Sequence, residues 1–125
     1  MSNPNALPEI SVQDLSQKLS TGDSFILMDV REPHELQYAK LPDEVCGYTH
    51  TVTFVPMSKL AQELLDGLPE TVQDKETEIV VMCHTGRRSG QVTAWLRQNG
   101  WTNVHNLTGG IDAYARLIDP SVGLY

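Results

Sequence analysis

A cysteine closes the apolar run Glu78-Ile79-Val80-Val81-Met82, and a compact polar turn follows: Cys83-His84-Thr85-Gly86-Arg87-Arg88-Ser89. The apolar run predicts a strand, and a helix is expected to begin six residues after the cysteine. Each part of this arrangement favours a thiolate. Helix N-terminal amides and the helix dipole attract negative charge. Two arginines beside the sulfur act in the same sense and keep their charge. Together they raise the thiolate fraction, and the thiolate is the nucleophilic form of cysteine. Gly86 lets the backbone curl so that successive N–H groups point inward, forming a nest for an anion. A free cysteine is otherwise a small buried hydrophobe. Paired cations beside a core thiol, without a purpose, would be costly.

The remaining chain reads as the frame that positions this turn. Ser11 caps a helix carrying Val12, Leu15 and Leu19 at helical spacing, with Asp14 in its first turn and Thr21-Gly22-Asp23 as its stop. Phe25 to Val30 is a short apolar run without alternation, which suits a strand buried on both faces. Arg31 to Tyr38 is expected to be helical, with Pro33 in the first turn. Residues 43–51 read as loop, and Val52-Thr53-Phe54-Val55 as a strand. Ser58 opens a helix with Leu60, Ala61, Leu64 and Leu65 on one face, ending near Gly67 and Pro69. Val92, Trp95 and Leu96 mark a helix stopping at Asn99-Gly100. Val104 and Leu107 mark a last strand, and Gly109-Gly110 lead into a helix from Ile111 to Leu117. Strands alternating with helices imply an α/β fold, a parallel sheet flanked by helices on both faces. Ligands then sit at the carboxyl ends of strands, where Asp29 and Cys83 both fall.

Composition narrows the function classes. The 125 residues suit a single domain, and 16 acids against 9 bases give a net charge of −7. That balance argues against nucleic-acid and acidic-membrane binding. The charge is uneven: residues 1–80 carry 14 acids and 5 bases, residues 81–125 carry 2 acids and 4 bases. The second part is therefore the one suited to an anion. No apolar run reaches the roughly 20 residues of a membrane helix, and Met1 to Ile10 shows no secretory leader. Cys46 and Cys83 match no disulfide-scaffold or zinc spacing, so a reduced, cytoplasmic compartment is expected. His34, His50 and His105 share no metal-ligand spacing. No metal or other cofactor is called for.

Three stretches resemble one family. Cys83 to Ser89 is similar to the active-site loop of rhodaneses, the thiosulfate sulfurtransferases. Asp29-Val30-Arg31-Glu32-Pro33-His34-Glu35 resembles their first motif, and Asn106-Leu107-Thr108-Gly109-Gly110-Ile111-Asp112-Ala113-Tyr114 their last. The similarity runs from about residue 10 to 119, in register. Ile118 to Val122 resembles single-domain rhodaneses and the rhodanese modules of enzymes that activate sulfur carriers.

The resemblance implies a rhodanese-like three-layer fold and a Cys83 thiolate that attacks the sulfane sulfur of a small anionic donor. A Cys83 persulfide forms, and cyanide or a thiol takes the sulfur. The loop from His84 through Thr85, Gly86, Arg87 and Arg88 to Ser89 would cradle the outer sulfur. Arg88 would close the cradle, with Arg87 and His84 attracting the donor. An alternative implied role is a persulfide carrier serving a protein partner, such as a cysteine desulfurase or a sulfur-carrier activating enzyme. Cysteine phosphatases place five residues between cysteine and arginine, whereas four separate Cys83 from Arg88. The tighter loop suits a single sulfur better than a phosphate.

Some positions depart from the family pattern. His84 stands where many members carry arginine, and it reads equally as donor contact or exposed loop histidine. Residues 39–44 replace a Gly-His-Ile-Pro-Gly-Ala stretch. Asp29 and Arg31 read as a structural pair before a source of charge for the site. Gly109 and Gly110 read as turn residues, and Trp95 as core. Cys46 reads as a spectator thiol, with a resolving cysteine for Cys83 as the alternative.

Overall fold

The computed structural model describes residues 7–125, so most of the stretch read for a leader lies outside the described residues. The strands are β1 (Glu9–Ile10), β2 (Ile26–Asp29), β3 (Glu44–Val45), β4 (Tyr48–Thr49), β5 (Val52–Phe54), β6 (Ile79–Met82) and β7 (Val104–Leu107). The α-helices are α1 (Val12–Ser20), α2 (Met57–Glu63), α3 (Arg87–Gln98) and α4 (Gly110–Leu117). The main sheet has five parallel strands in the order β1-β7-β6-β2-β5, the α/β arrangement expected. β2 and β6 run side by side, from Ile26 opposite Ile79 to Asp29 opposite Met82.

Period-two alternation sorts the side chains of β6 onto two faces. Val80 and Met82 pack with Val12, Leu15 and Leu19 of α1 and Ile111, Tyr114 and Ala115 of α4. Ile79, Val81 and Cys83 pack with Leu60 of α2 and Val92 and Leu96 of α3. Every residue of β6 is buried, which explains its unbroken apolar sequence. Cys83 therefore leaves the sheet on the α2–α3 face, at the carboxyl end of a central strand.

Local signals account for most element ends. The Asp14 N–H donates to Ser11 Oγ at 3.1 Å, the cap expected for α1. Elsewhere the structure corrects the reading. Residues 43–51 hold a small antiparallel hairpin, β3–β4, rather than a loop. Its two turn residues, Cys46 and Gly47, both have positive φ (49° and 85°), the backbone a tight two-residue hairpin needs. Pro33–Gln37 forms a 3-10 turn instead of an α-helix. Helix α3 begins at Arg87, two residues earlier than expected, so its first amides lie closer to Cys83. No helix among the described residues is long and apolar enough to cross a membrane.

Candidate active site

Cys83 is 1% exposed. The Gly86 N–H donates to Cys83 Sγ at 3.1 Å, and Ser89 Oγ lies 3.1 Å from the same sulfur. Of the amides expected to cradle the loop's sulfur, Gly86 is the one bonded to Sγ itself. Ser89 Oγ also lies 2.5 Å from Asn106 Oδ1. Asn106 Nδ2 donates to Gly86 O at 3.0 Å and to Glu9 Oε1 at 3.2 Å, which turns Oδ1 toward the serine. Ser89 has one proton. With that proton on Asn106, the serine oxygen can accept from the thiol. With a thiolate present, the hydroxyl can turn to the sulfur.

Helix α4 forms the floor of the loop. Ile111 N–H donates to Cys83 O and Asp112 N–H to His84 O, both at 2.9 Å. This close approach explains the double glycine before it. Gly110 has φ +62°, and a Cβ there would lie 2.5 Å from His84 O. Gly86 has φ +98°, with Gly109 N only 3.1 Å from where its Cβ would be. The glycines read as turn residues thus also bring two segments of the site together.

The charged residues divide sharply. Arg88 donates two parallel hydrogen bonds to Glu35, Nη1 to Oε2 and Nη2 to Oε1, each 2.7 Å. Asp29 and Arg31 form a buried pair, with side chains 0% and 1% exposed. Arg31 Nη2 donates to Asp29 Oδ2 at 2.8 Å, and Nη1 donates to Ala39 O at 3.0 Å and Tyr125 Oη at 3.2 Å. The Tyr125 hydroxyl in turn donates to Glu35 Oε1 at 3.1 Å. A single polar chain therefore joins Asp29, Arg31, Tyr125, Glu35 and Arg88. The Tyr125 ring covers His84, with ring centroids 3.8 Å apart and planes 9° from parallel. Arg87 is exposed and makes no ion pair or hydrogen bond through its side chain among the described residues.

These contacts set the protonation states. The Arg88 guanidinium holds the Glu35 carboxyl at about 2, against the opposing effect of burial, with the Glu32 N–H and Tyr125 hydroxyl assisting. Arg88 is held above its ordinary value, chiefly by Glu35 and also by the nearby Cys83. Burial acts to lower Arg31, but its bonds to Asp29 and Tyr125 outweigh that and raise it. Burial raises Tyr125.

A depressed carboxyl stabilises the fold above its unfolded value and loses that contribution as pH falls through the folded one. The Glu35 contribution is therefore present above pH about 4.5 and disappears toward about 2. Since Arg88 is 33% exposed, solvent screening reduces its size to on the order of 2 kcal/mol. In urea titrations, Glu35→Gln is expected to lose less stability than wild type across that window. Parallel losses would contradict the assignment.

A family model, the rhodanese-like domain, matches residues 11–117. The chain belongs to the rhodanese-like family. A sulfurtransferase of Allochromatium vinosum is 33% identical over 108 residues, covering 86% of this chain and 88% of that protein. A chloroplastic rhodanese-like/PpiC domain-containing protein of Arabidopsis thaliana is 34% identical over 128 residues, covering 100% of this chain but 40% of the relative. The chain thus spans well under half of that longer relative. The human single domain sulfurtransferase structure superposes with a TM-score of 0.67 at 24% identity, over 90% of this chain and 98% of that one. At that identity the likeness concerns the fold.

The loop brings Gly86 and Ser89 to the Cys83 sulfur, whereas Arg88, expected to close the cradle, turns its guanidinium to Glu35, and Asp29 and Arg31 lie in the adjoining polar chain. Three contributors were not singled out from sequence: Glu35, Asn106 and Tyr125. Asn106 had a readable signal, a polar amide inside the buried strand β7. Glu35 lies 53 residues from Arg88 and Tyr125 lies 90 residues from Glu35, separations that local patterning does not span.

Proposed function

We propose that this chain is a sulfurtransferase in which Cys83 carries sulfane sulfur as a persulfide. The Cys83 thiolate attacks the outer sulfur of thiosulfate or of an organic persulfide. A new S–S bond forms at Cys83, the donor's S–S bond breaks, and sulfite or a thiolate leaves with the electron pair. Cyanide or a thiol then removes the outer sulfur and restores the thiolate. The covalent intermediate divides one hard transfer into two easier ones.

The observation that carries this reading is the position of Cys83 Sγ, buried against the Gly86 amide and Ser89 hydroxyl at the head of α3. Preorganised donors of this kind stabilise developing anionic sulfur without reorganising water. Thiocyanate release from thiosulfate and cyanide tests it directly: the wild type is expected to turn over, and a protein inactive with both thiosulfate and glutathione persulfide would refute the reading. Both cysteines are free, so we place the protein in a reduced compartment, the cytoplasm, acting as one rhodanese-like domain without a cofactor.

The distribution of charge favours a thiol-borne persulfide as donor. Glu35 engages Arg88, Asp29 engages Arg31, and Tyr125 covers His84. Arg87 remains to meet a dianion. A screened charge contact is worth about 1 kcal/mol, or roughly fivefold in binding. Arg87→Ala is expected to raise the KM for thiosulfate by roughly that factor while changing the value for glutathione persulfide less. Steady-state kinetics with both donors checks this; equal changes would contradict the role.

A further inference from the structure

Tyr125 meets the Cys83 loop on two flanks. Its ring stacks on His84, the residue after the cysteine. Its hydroxyl donates to Glu35 Oε1, and the same Glu35 carboxylate receives Arg88 from the far end of the loop. Arg31 Nη1 donates to that hydroxyl, and Tyr38 backs the ring, with centroids 5.5 Å apart and planes 27° from parallel. Cys83 itself is buried, so a reactant reaches its sulfur only when some of these surroundings move.

The cover is held by side chains rather than by backbone. Val122 is fixed: its N–H donates to Asp119 O at 3.1 Å, and its carbonyl accepts from Lys40 N–H at 3.0 Å. Gly123 follows at φ +103°, ψ 155°, a conformation essentially reserved for glycine, and a Cβ there would collide with Tyr38 O. Beyond it, neither Leu124 nor Tyr125 makes a backbone–backbone hydrogen bond among the described residues. Leu124 is exposed, and Tyr125 is 37% exposed despite its contacts. A ring on two residues free of backbone bonds, with a glycine behind it, is the pattern of a hinged cover. His84 is an independent sign. Its Nε2 is buried with no hydrogen-bond partner among the described residues, which costs free energy. Movement of the ring that covers His84 would open that nitrogen to an incoming group.

We infer that Tyr125 is a specificity-determining residue: its ring is a hinged cover on the Cys83 loop that admits reactants by size. A small reactant passes on a slight shift of the ring. A bulky one requires the ring to swing off His84 about Gly123. As a filter for sulfur donors and acceptors, the cover rests on the Cys83 transfer proposed above; as a barrier to the thiol, it does not.

The test compares alkylation by N-methylmaleimide and N-pyrenylmaleimide, which share a reactive group and differ in bulk. Peptide mass spectrometry reads Cys83, and the exposed Cys46 of the same molecule corrects for intrinsic reactivity. In the wild type, Cys83 is expected to disfavour the bulky reagent. Tyr125→Ala is expected to speed the bulky reaction by roughly tenfold and the small one far less, since the stack and both hydroxyl bonds are lost. Tyr125→Phe keeps the stack and should give about fivefold. Tyr38→Ala, which removes the backing ring, should shift the ratio in the same direction and decides the matter with Tyr125→Phe should Tyr125→Ala not fold. A size ratio unchanged in the folded variants, or a wild type in which the bulky reagent meets Cys83 as freely as Cys46, would overturn the cover. Loading of Cys83 by glutathione persulfide should accelerate in Tyr125→Ala more than loading by thiosulfate; equal acceleration would overturn the filter. A cover that opens to maleimides while neither donor loads Cys83 would instead contradict the transfer itself.

Discussion

Cys83→Ser is expected to lower sulfur transfer by at least about 10³-fold, with the fold unchanged. A serine hydroxyl cannot hold sulfane sulfur as a persulfide, so every later step is lost with the first. The substitution is nearly isosteric, and the Gly86 amide and Ser89 hydroxyl can still hydrogen-bond an oxygen in that place. Near-native thermal stability should therefore accompany the loss. Cys46 provides the control. It is an exposed free thiol in the β3–β4 turn, and Cys46→Ser is expected to retain the wild-type rate. Steady-state thiocyanate formation distinguishes the two. Substantial activity in Cys83→Ser, or its loss in Cys46→Ser, would reassign the nucleophile.

The largest effect on stability is expected at the buried pair. Asp29 accepts from Arg31 through the backbone N–H, Nε and Nη2, and both side chains are removed from solvent. Removing the carboxylate leaves a guanidinium buried without its counter-charge. Breaking such a pair costs about 3–5 kcal/mol. Asp29→Ala should therefore lower the unfolding free energy by that amount, seen in urea titration as a lower midpoint with the slope unchanged. Substituting both partners, Asp29→Leu with Arg31→Met, should recover much of the loss, because no charge remains buried. A single-variant loss below about 1 kcal/mol would show that water or another group satisfies Arg31. Asp29→Ala also removes the carboxylate that orients Arg31, whose Nη1 holds the Tyr125 hydroxyl, so the cover over His84 should loosen with it.

Local chemistry was readable where one short stretch contained the whole signal. Strand β6 is continuous in apolar residues because both its faces are buried. Ser11 and Asp14 announce the start of α1, and Cys83 through Ser89 hold the proposed nucleophile, a glycine and two cations within seven positions. Hairpin β3–β4 was hidden because its strands are two residues each and its turn uses Cys46 in a positive-φ position that non-glycine residues seldom take. The fate of Arg88 was hidden for a different reason. Its charge is legible, but whether it faces a ligand or Glu35 depends on how the 3-10 turn at Pro33–Gln37 docks against α3. The same holds for Tyr125, whose contact with His84 requires residues 118–125 to return across the mouth of the loop. The aggregate charge of −7 likewise says little about a site in which three of the cations, Arg31, Arg87 and Arg88, differ so completely in their partners.

The most direct test is peptide-resolved mass spectrometry after brief incubation with glutathione persulfide or thiosulfate, followed by cyanide. The Cys83 peptide should gain the mass of one sulfur atom and lose it on cyanide treatment, while the Cys46 peptide stays unmodified. An unmodified Cys83 in the folded protein with both donors, or stable sulfur found on Cys46 alone, would contradict the account.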